Sequence, residues 1–169
     1  MAAGLIDFIN YLEGIASKHV DIKHDAVTRP AFVRFYDAEN MESAIRTRIR
    51  NVPCIVVKDY DFAIKDDRSD NVHKEREIEF LVIDKLGRTA SMDDVYSVWD
   101  KTEEIGDECV IKLKADKRLG LFLQNIDFNL NGVRAVPVDL QINGLYGTQY
   151  TLRISTVRSN TPDPEKWEE

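Results

Sequence analysis

An α+β fold with a mainly antiparallel sheet follows from three features of this sequence. Apolar residues recur at three-and-four spacing in two segments, one near the start and one from residue 93 onward. They alternate with polar residues over residues 54–64, 74–84 and 126–154, and polar or Asn-Gly connections join those alternating runs. Hairpins and meanders place neighbouring strands antiparallel, and each helix must bury one face against the sheet. The expected architecture is therefore a long hairpin plus a C-terminal meander, with an N-terminal helix and a long central helix packed on one face.

The first helix carries Leu5, Phe8, Ile9, Leu12, Ile15 and Ala16 on one side, and Gly14 weakens it without stopping it. Residues 31–35 follow Pro30 and alternate Phe32 and Arg34 against Val33 and Phe35, as a short strand does. Asp37 is placed to cap a second helix through Met41, Ala44, Ile45 and Ile49, which Pro53 prevents from continuing. Cys54, Val56, Tyr60, Phe62 and Ile64 read as one face of a strand with Lys58 as the exception, and Ile78, Phe80 and Val82 as one face of the next. The polar run from Lys65 to Asn71 joins them as an exposed hairpin tip. Ser91-Met92-Asp93-Asp94 offers a capping box at the head of the long helix, which reads through Val95, Val98, Trp99, Thr102, Ile105, Cys109 and Leu113, with Gly106 as the weak point where it could break. Beyond Gly120 the period falls to two. Ile126, Phe128 and Leu130, then Val136, Val138, Leu140 and Ile142, then Tyr146 to Ile154 predict three strands, turned at Asn131-Gly132 and Asn143-Gly144.

The 169 residues are 43% hydrophobic, enough for one core, so residues 1–155 are expected as a single domain and 156–169 as a C-terminal docking tail. With 23 Lys and Arg against 30 Asp and Glu, the net charge of −7 argues against coating nucleic acid. No stretch approaches the roughly 20 apolar residues of a membrane span, so no membrane partner is expected. Met1-Ala2-Ala3-Gly4 lacks a basic start, and Asp7 and Asn10 interrupt the following apolar run, so no cleaved secretion signal is expected. Cys54 and Cys109, each among apolar neighbours, read as buried thiols in a reducing compartment.

Residues that could carry chemistry do not combine into a known constellation. His19, His24 and His73 match neither HExxH nor a zinc-finger spacing and read as solvated. Asp66, Asp67 and Asp70 lack the Gly and the terminal Glu of a calcium loop. Glu75, Glu77 and Glu79 alternate along one strand face, but the Lys that a PD-(D/E)xK nuclease needs two residues after its carboxylate is missing. No GxSxG elbow or Gly-rich phosphate loop occurs, so no catalytic role, metal or cofactor is expected.

Charge is segregated instead. Arg29, Arg34, Arg46, Arg48 and Arg50 concentrate in one stretch, and Arg46 and Arg50 repel at i and i+4 unless an acidic surface faces them. The acids of the hairpin supply such a surface on a neighbouring copy, and Trp167 after Pro162 and Pro164 resembles a short docking element. The expected subunit interface comprises Arg46, Arg50, Asp66, Asp67, Arg68, Asp70, Glu75, Glu77, Glu79 and Trp167.

The order of elements is similar to that of the tail-terminator and tail-completion proteins at the neck of tailed bacteriophages, and of their counterparts in contractile injection systems. The helix from Leu5 to Ile15, the strands over residues 54–64 and 77–84, the helix from Asp93 and the closing strand Tyr146-Gly147-Thr148-Gln149-Tyr150-Thr151-Leu152-Arg153-Ile154 carry the resemblance, which spans about residues 3–155. The strand near residues 31–35 and the long final meander depart from the simplest pattern. The resemblance implies a homo-oligomeric, hexameric ring without enzymatic activity. It also implies contacts to other tail and neck proteins, a place in the virion after assembly in the bacterial host cytoplasm, and passage of DNA through the ring without sequence-specific binding. Two other readings compete with it. One is a monomeric metal-dependent phosphodiesterase or nuclease using Asp59, Asp61, Glu77 and Glu79. The other is an adaptor that adds a peptide strand to an exposed sheet edge.

Overall fold

The computed structural model describes residues 4–34, 47, 49, 51–66, 71–87, 89–122, 126–128, 132–142 and 144–159. Among them are helix α1 (Leu5–Lys18), strands β1 (Phe32–Arg34), β2 (Cys54–Asp66) and β3 (Asn71–Lys85), helix α2 (Met92–Arg118), and strands β4 (Ile126–Phe128), β5 (Arg134–Asp139) and β6 (Leu145–Ser159). The fold is α+β, as the periodicities predict. The second helix expected near residues 37–50 lies largely outside the described residues.

The sheet runs β1-β2-β3-β6, with β4 and β5 both on the far edge of β6; β1 is parallel to β2 and every other pairing is antiparallel. Helix α2 lies over β3 and β6: Tyr150 donates from its hydroxyl to the Glu103 carbonyl at 2.8 Å, and the Thr102 and Thr148 hydroxyls meet at 2.9 Å. Helix α1 lies beside it on the same face, because Arg34 of β1 bonds Asn10 and Glu13 while its backbone pairs with Val57, which in turn faces Phe80. The core between the layers holds Phe8, Leu12, Ile55, Ile78, Phe80, Leu113 and Leu152. Phe80 and Tyr150 stack with ring centroids 5.0 Å apart.

Helix α2 is bounded as its sequence says. The Ser91 hydroxyl accepts the Asp94 N–H at 3.3 Å and the Asp94 carboxylate accepts the Ser91 N–H at 2.7 Å, a complete capping box. The break expected at Gly106 does not occur, because the residue is enclosed by the sheet: the Tyr150 ring packs where its side chain would be.

Two strand expectations need correction. Cys54, Val56, Tyr60, Phe62 and Ile64 do not share a face, since the β2–β3 register shifts between Val57 and Tyr60. Cys54 and Val56 pair with Ile83 and Leu81, whereas Tyr60, Phe62 and Ile64 pair with Ile78, Arg76 and Lys74, on the helix side. The extra residue at Lys58-Asp59 is a bulge that reverses the alternation. The C-terminal strands also do not form a meander. β4 pairs with Thr156, Ser155 and Ile154, and β5 with Thr151 through Tyr146, so the two lie end to end along one edge of β6 rather than against each other. A 15-residue strand has an edge long enough for both. Pro137, which has no N–H to donate to a further strand, suits the outermost position that β5 takes. The last strand continues to Ser159, beyond the Ile154 expected, and residues 160–169 of the tail lie outside the described residues.

Candidate functional site

The residues expected at a subunit interface fall into two groups. Arg46, Arg50, Asp67, Arg68, Asp70 and Trp167 lie outside the described residues, and of Asp66 only the backbone, paired with Val72 at the end of β2, is described. The other three form a row on the sheet face away from the helices, and each carboxylate meets a cation of the same sheet. Lys58 Nζ lies 2.6 Å from Glu79 and Arg153 Nε 2.9 Å from Glu77, while Lys65 pairs with Glu75. These cross-strand pairs neutralise the ladder locally. They also bear on the phosphodiesterase reading, because Glu77 and Glu79 are occupied by cations of the chain itself. The side chains of Asp59 and Asp61 lie outside the described set, and among the described residues no group of three or more His, Cys, Asp or Glu gathers as a metal-binding set.

His24 is not solvated, contrary to expectation. It is 7% exposed, and its Nδ1 accepts the Ala31 N–H at 3.0 Å while Nε2 lies 3.3 Å from Glu13 Oε1. A ring nitrogen that accepts a backbone N–H carries no proton, so the proton of the neutral ring sits on Nε2 and points at Glu13. The other Glu13 oxygen takes Arg34, so one carboxylate ties α1 to the following loop and to β1. Both cysteines are free and buried as expected. Burial raises the Cys54 thiol well above its ordinary value and pushes Cys109 up to about 12, which leaves both as thiols rather than nucleophilic thiolates.

A groove of about 560 Å³ lies between α1 and α2. At one end of it the Phe8 and Tyr11 rings of α1 pack edge-on against Phe122, which follows α2. There Asp116 accepts from the Tyr11 hydroxyl and, at 2.6 Å, from Lys112. The Lys112 ammonium, then the Tyr11 hydroxyl, hold the Asp116 carboxyl below the usual range; burial, reinforced by that carboxylate, raises Tyr11. The groove is also lined by buried Ile15 and Ile105, exposed Val20, Glu104 and Glu108 of α2, and the cationic or basic side chains Lys18, His19 and Lys112. Gly14 lines the α1 wall with open space before it.

A second surface feature is the far half of the β2–β3 hairpin. Phe62 is 55% and Ile64 67% exposed on the helix side of the sheet, and Lys74 lies 3.9 Å from the Phe62 ring centroid. Neither feature was singled out from the sequence. The doublets Glu103-Glu104 and Asp107-Glu108 on an otherwise amphipathic helix were the available sign of the groove, and the break in alternation at Lys58 was the sign of the exposed Phe62 and Ile64.

No protein-family model matches this chain, and no curated protein matches it. No described helix is long and apolar enough to cross a membrane.

Proposed function

We propose that this chain is a structural component of a tailed bacteriophage or contractile injection system: a neck or tail-terminator protein that assembles as a homo-oligomeric ring, hexameric by the resemblance, between tail tube and head connector. The observation that carries this reading is the far half of the β2–β3 hairpin, which β6 flanks along its whole length. β2 and β3 contain 13 and 15 residues, a length of about 45 Å at 3.3 Å per residue, and the far half exposes Phe62 and Ile64. Paired large apolar side chains held in water on a sheet face mark an interaction surface. Such a face at one end of the sheet offers a neighbouring subunit a surface to pack on, and a head-to-tail contact of this kind closes into a ring when the rotation allows.

In this reading Asp66, Asp67, Arg68 and Asp70 of the β2–β3 connection and Trp167 of the tail meet adjacent subunits or other tail and neck proteins. Arg46 and Arg50 face either a neighbour's acids or the DNA passing through the ring. Glu75, Glu77 and Glu79 contribute shape more than charge, because Lys65, Arg153 and Lys58 already balance them. The protein performs no catalysis, and its place is the virion.

Size-exclusion chromatography with light scattering, and negative-stain microscopy, test the proposal. The expected result is a ring of about six 19.4 kDa chains, formed alone or on adding a tail-tube protein, and folded monomers for Phe62→Asp with Ile64→Asp. A wild-type chain that stays monomeric under both conditions would overturn it.

A further inference from the structure

The helix-side face of the sheet presents apolar surface at its far end. Phe62 is 55% and Ile64 67% exposed there, and the β2–β3 register sets Arg76 beside Phe62 and Lys74 beside Ile64. Lys74 lies 3.9 Å from the Phe62 ring centroid. Two large apolar side chains flanked by cations fit a partner that brings an aromatic ring together with carboxylates.

The chain itself contains such a segment, and β6 delivers it to this end of the sheet. Ser159, the last residue of β6, pairs with Asn71, and the sequence continues Asn160-Thr161-Pro162-Asp163-Pro164-Glu165-Lys166-Trp167-Glu168-Glu169. These residues carry four acids against one lysine, and Trp167 is their one aromatic side chain. Folding back onto the face of the same chain is opposed. Phe62 pairs with Arg76, five positions along β3 from Asn71, so it lies about 17 Å back along the sheet and, two strands over, about 10 Å across it. Pro162 and Pro164 fix their own φ and restrict Thr161 and Asp163 to extended conformations, so a chain leaving β6 past the end of the sheet resists the reversal this path requires.

We infer that the occupant of this face is the segment 160–169 of a neighbouring copy. Trp167 covers Phe62 and Ile64, and Glu165 and Glu168, on either side of it, meet the Lys74 ammonium. Burial of the three apolar side chains supplies affinity, and the charges set the orientation of the segment. The inference rests on the proposed self-assembly for the presence of a neighbour, but it names a contact that a ring could form without.

The test places p-benzoylphenylalanine at residue 62 of the full chain, which keeps an aromatic ring there and cross-links to the C–H bonds that lie against it. Unlabelled chains carrying it are mixed in urea with isotope-labelled wild-type chains, refolded together, irradiated and digested, and the joined peptides are identified by mass spectrometry. The expected product joins unlabelled residue 62 to a labelled peptide from residues 159–169. Trp167→Ala in the labelled chain should lower its yield at least about tenfold. Glu165→Lys with Glu168→Lys in the labelled chain should also lower it, and Lys74→Glu in the photoreactive chain should then restore it. Thermal melts of each variant verify folding. Cross-links from residue 62 only to the tail of its own chain, to other segments, or to none would overturn the inference, as would an undiminished yield for Trp167→Ala. Particle mass is read separately. The expected cross-link in a species that is not a ring overturns ring assembly alone, and a ring of six whose residue 62 reaches no neighbouring tail overturns the tail contact alone.

Discussion

Tyr150 of β6 occupies the space that a side chain at Gly106 of α2 would need. A Cβ at residue 106 would lie 2.8 Å from the Tyr150 hydroxyl oxygen and closer still to its ring carbons, while that hydroxyl reaches the Glu103 carbonyl and Asp107 of the same helix. Gly106 thus leaves room for the tyrosine ring, which bridges helix and sheet.

Gly106→Ala should therefore destabilise the fold by about 1–3 kcal/mol, because overpacking outweighs the roughly 1 kcal/mol that Ala gains over Gly within a helix. Adding Tyr150→Leu to that variant removes the obstructing ring, so the two losses should be less than additive. Urea unfolding of the single and double variants measures this. Simple additivity would mean that the ring does not set the helix distance.

Asp116 should make stability fall in acid. Lys112 and then Tyr11 lower its carboxyl pKa in the folded chain relative to the unfolded one, so its contribution is fully present above the unfolded value near 4 and is lost as pH falls through the lower, folded value. Asp116→Asn, which keeps the shape but not the charge, should cost about 1–2 kcal/mol at neutral pH. The gap between variant and wild type should close as pH falls below 4. Denaturant titrations over that range provide the comparison, and a pH-independent gap would contradict the assignment.

His24 should tolerate asparagine better than phenylalanine. An Asn side-chain oxygen can stand in for Nδ1 and keep the acceptor for the Ala31 N–H, losing only the link to Glu13. Phe leaves that N–H without its acceptor, at a cost of about 1–3 kcal/mol. Melting temperatures of the two variants should rank in that order.

Part of the molecule was legible because its causes are local. The Ser91-Asp94 box, the apolar spacing through Leu113 and the alternation at Ile78, Phe80 and Val82 act within a turn or a strand, and the structure follows them. The candidate site was less legible. Glu75, Glu77 and Glu79 do form the carboxylate ladder that their alternation predicts, but whether a ladder is bare or paired depends on Lys58, Lys65 and Arg153, up to 76 positions away in the chain. The groove needs α1 and α2 side by side, and nothing in either segment alone names the other.

Hydrophobic period and capping chemistry by themselves determined that the chain is α+β, where its long helix starts, and which runs become strands. Tertiary structure alone decided that a bulge at Lys58-Asp59 turns Phe62 and Ile64 outward on the helix side, that β4 and β5 share one edge of β6, and that His24 is buried against Ala31. The physical reason is the same in each case. A period specifies which side of a segment is apolar, whereas the neighbour that covers it is chosen by contacts between residues far apart in the chain.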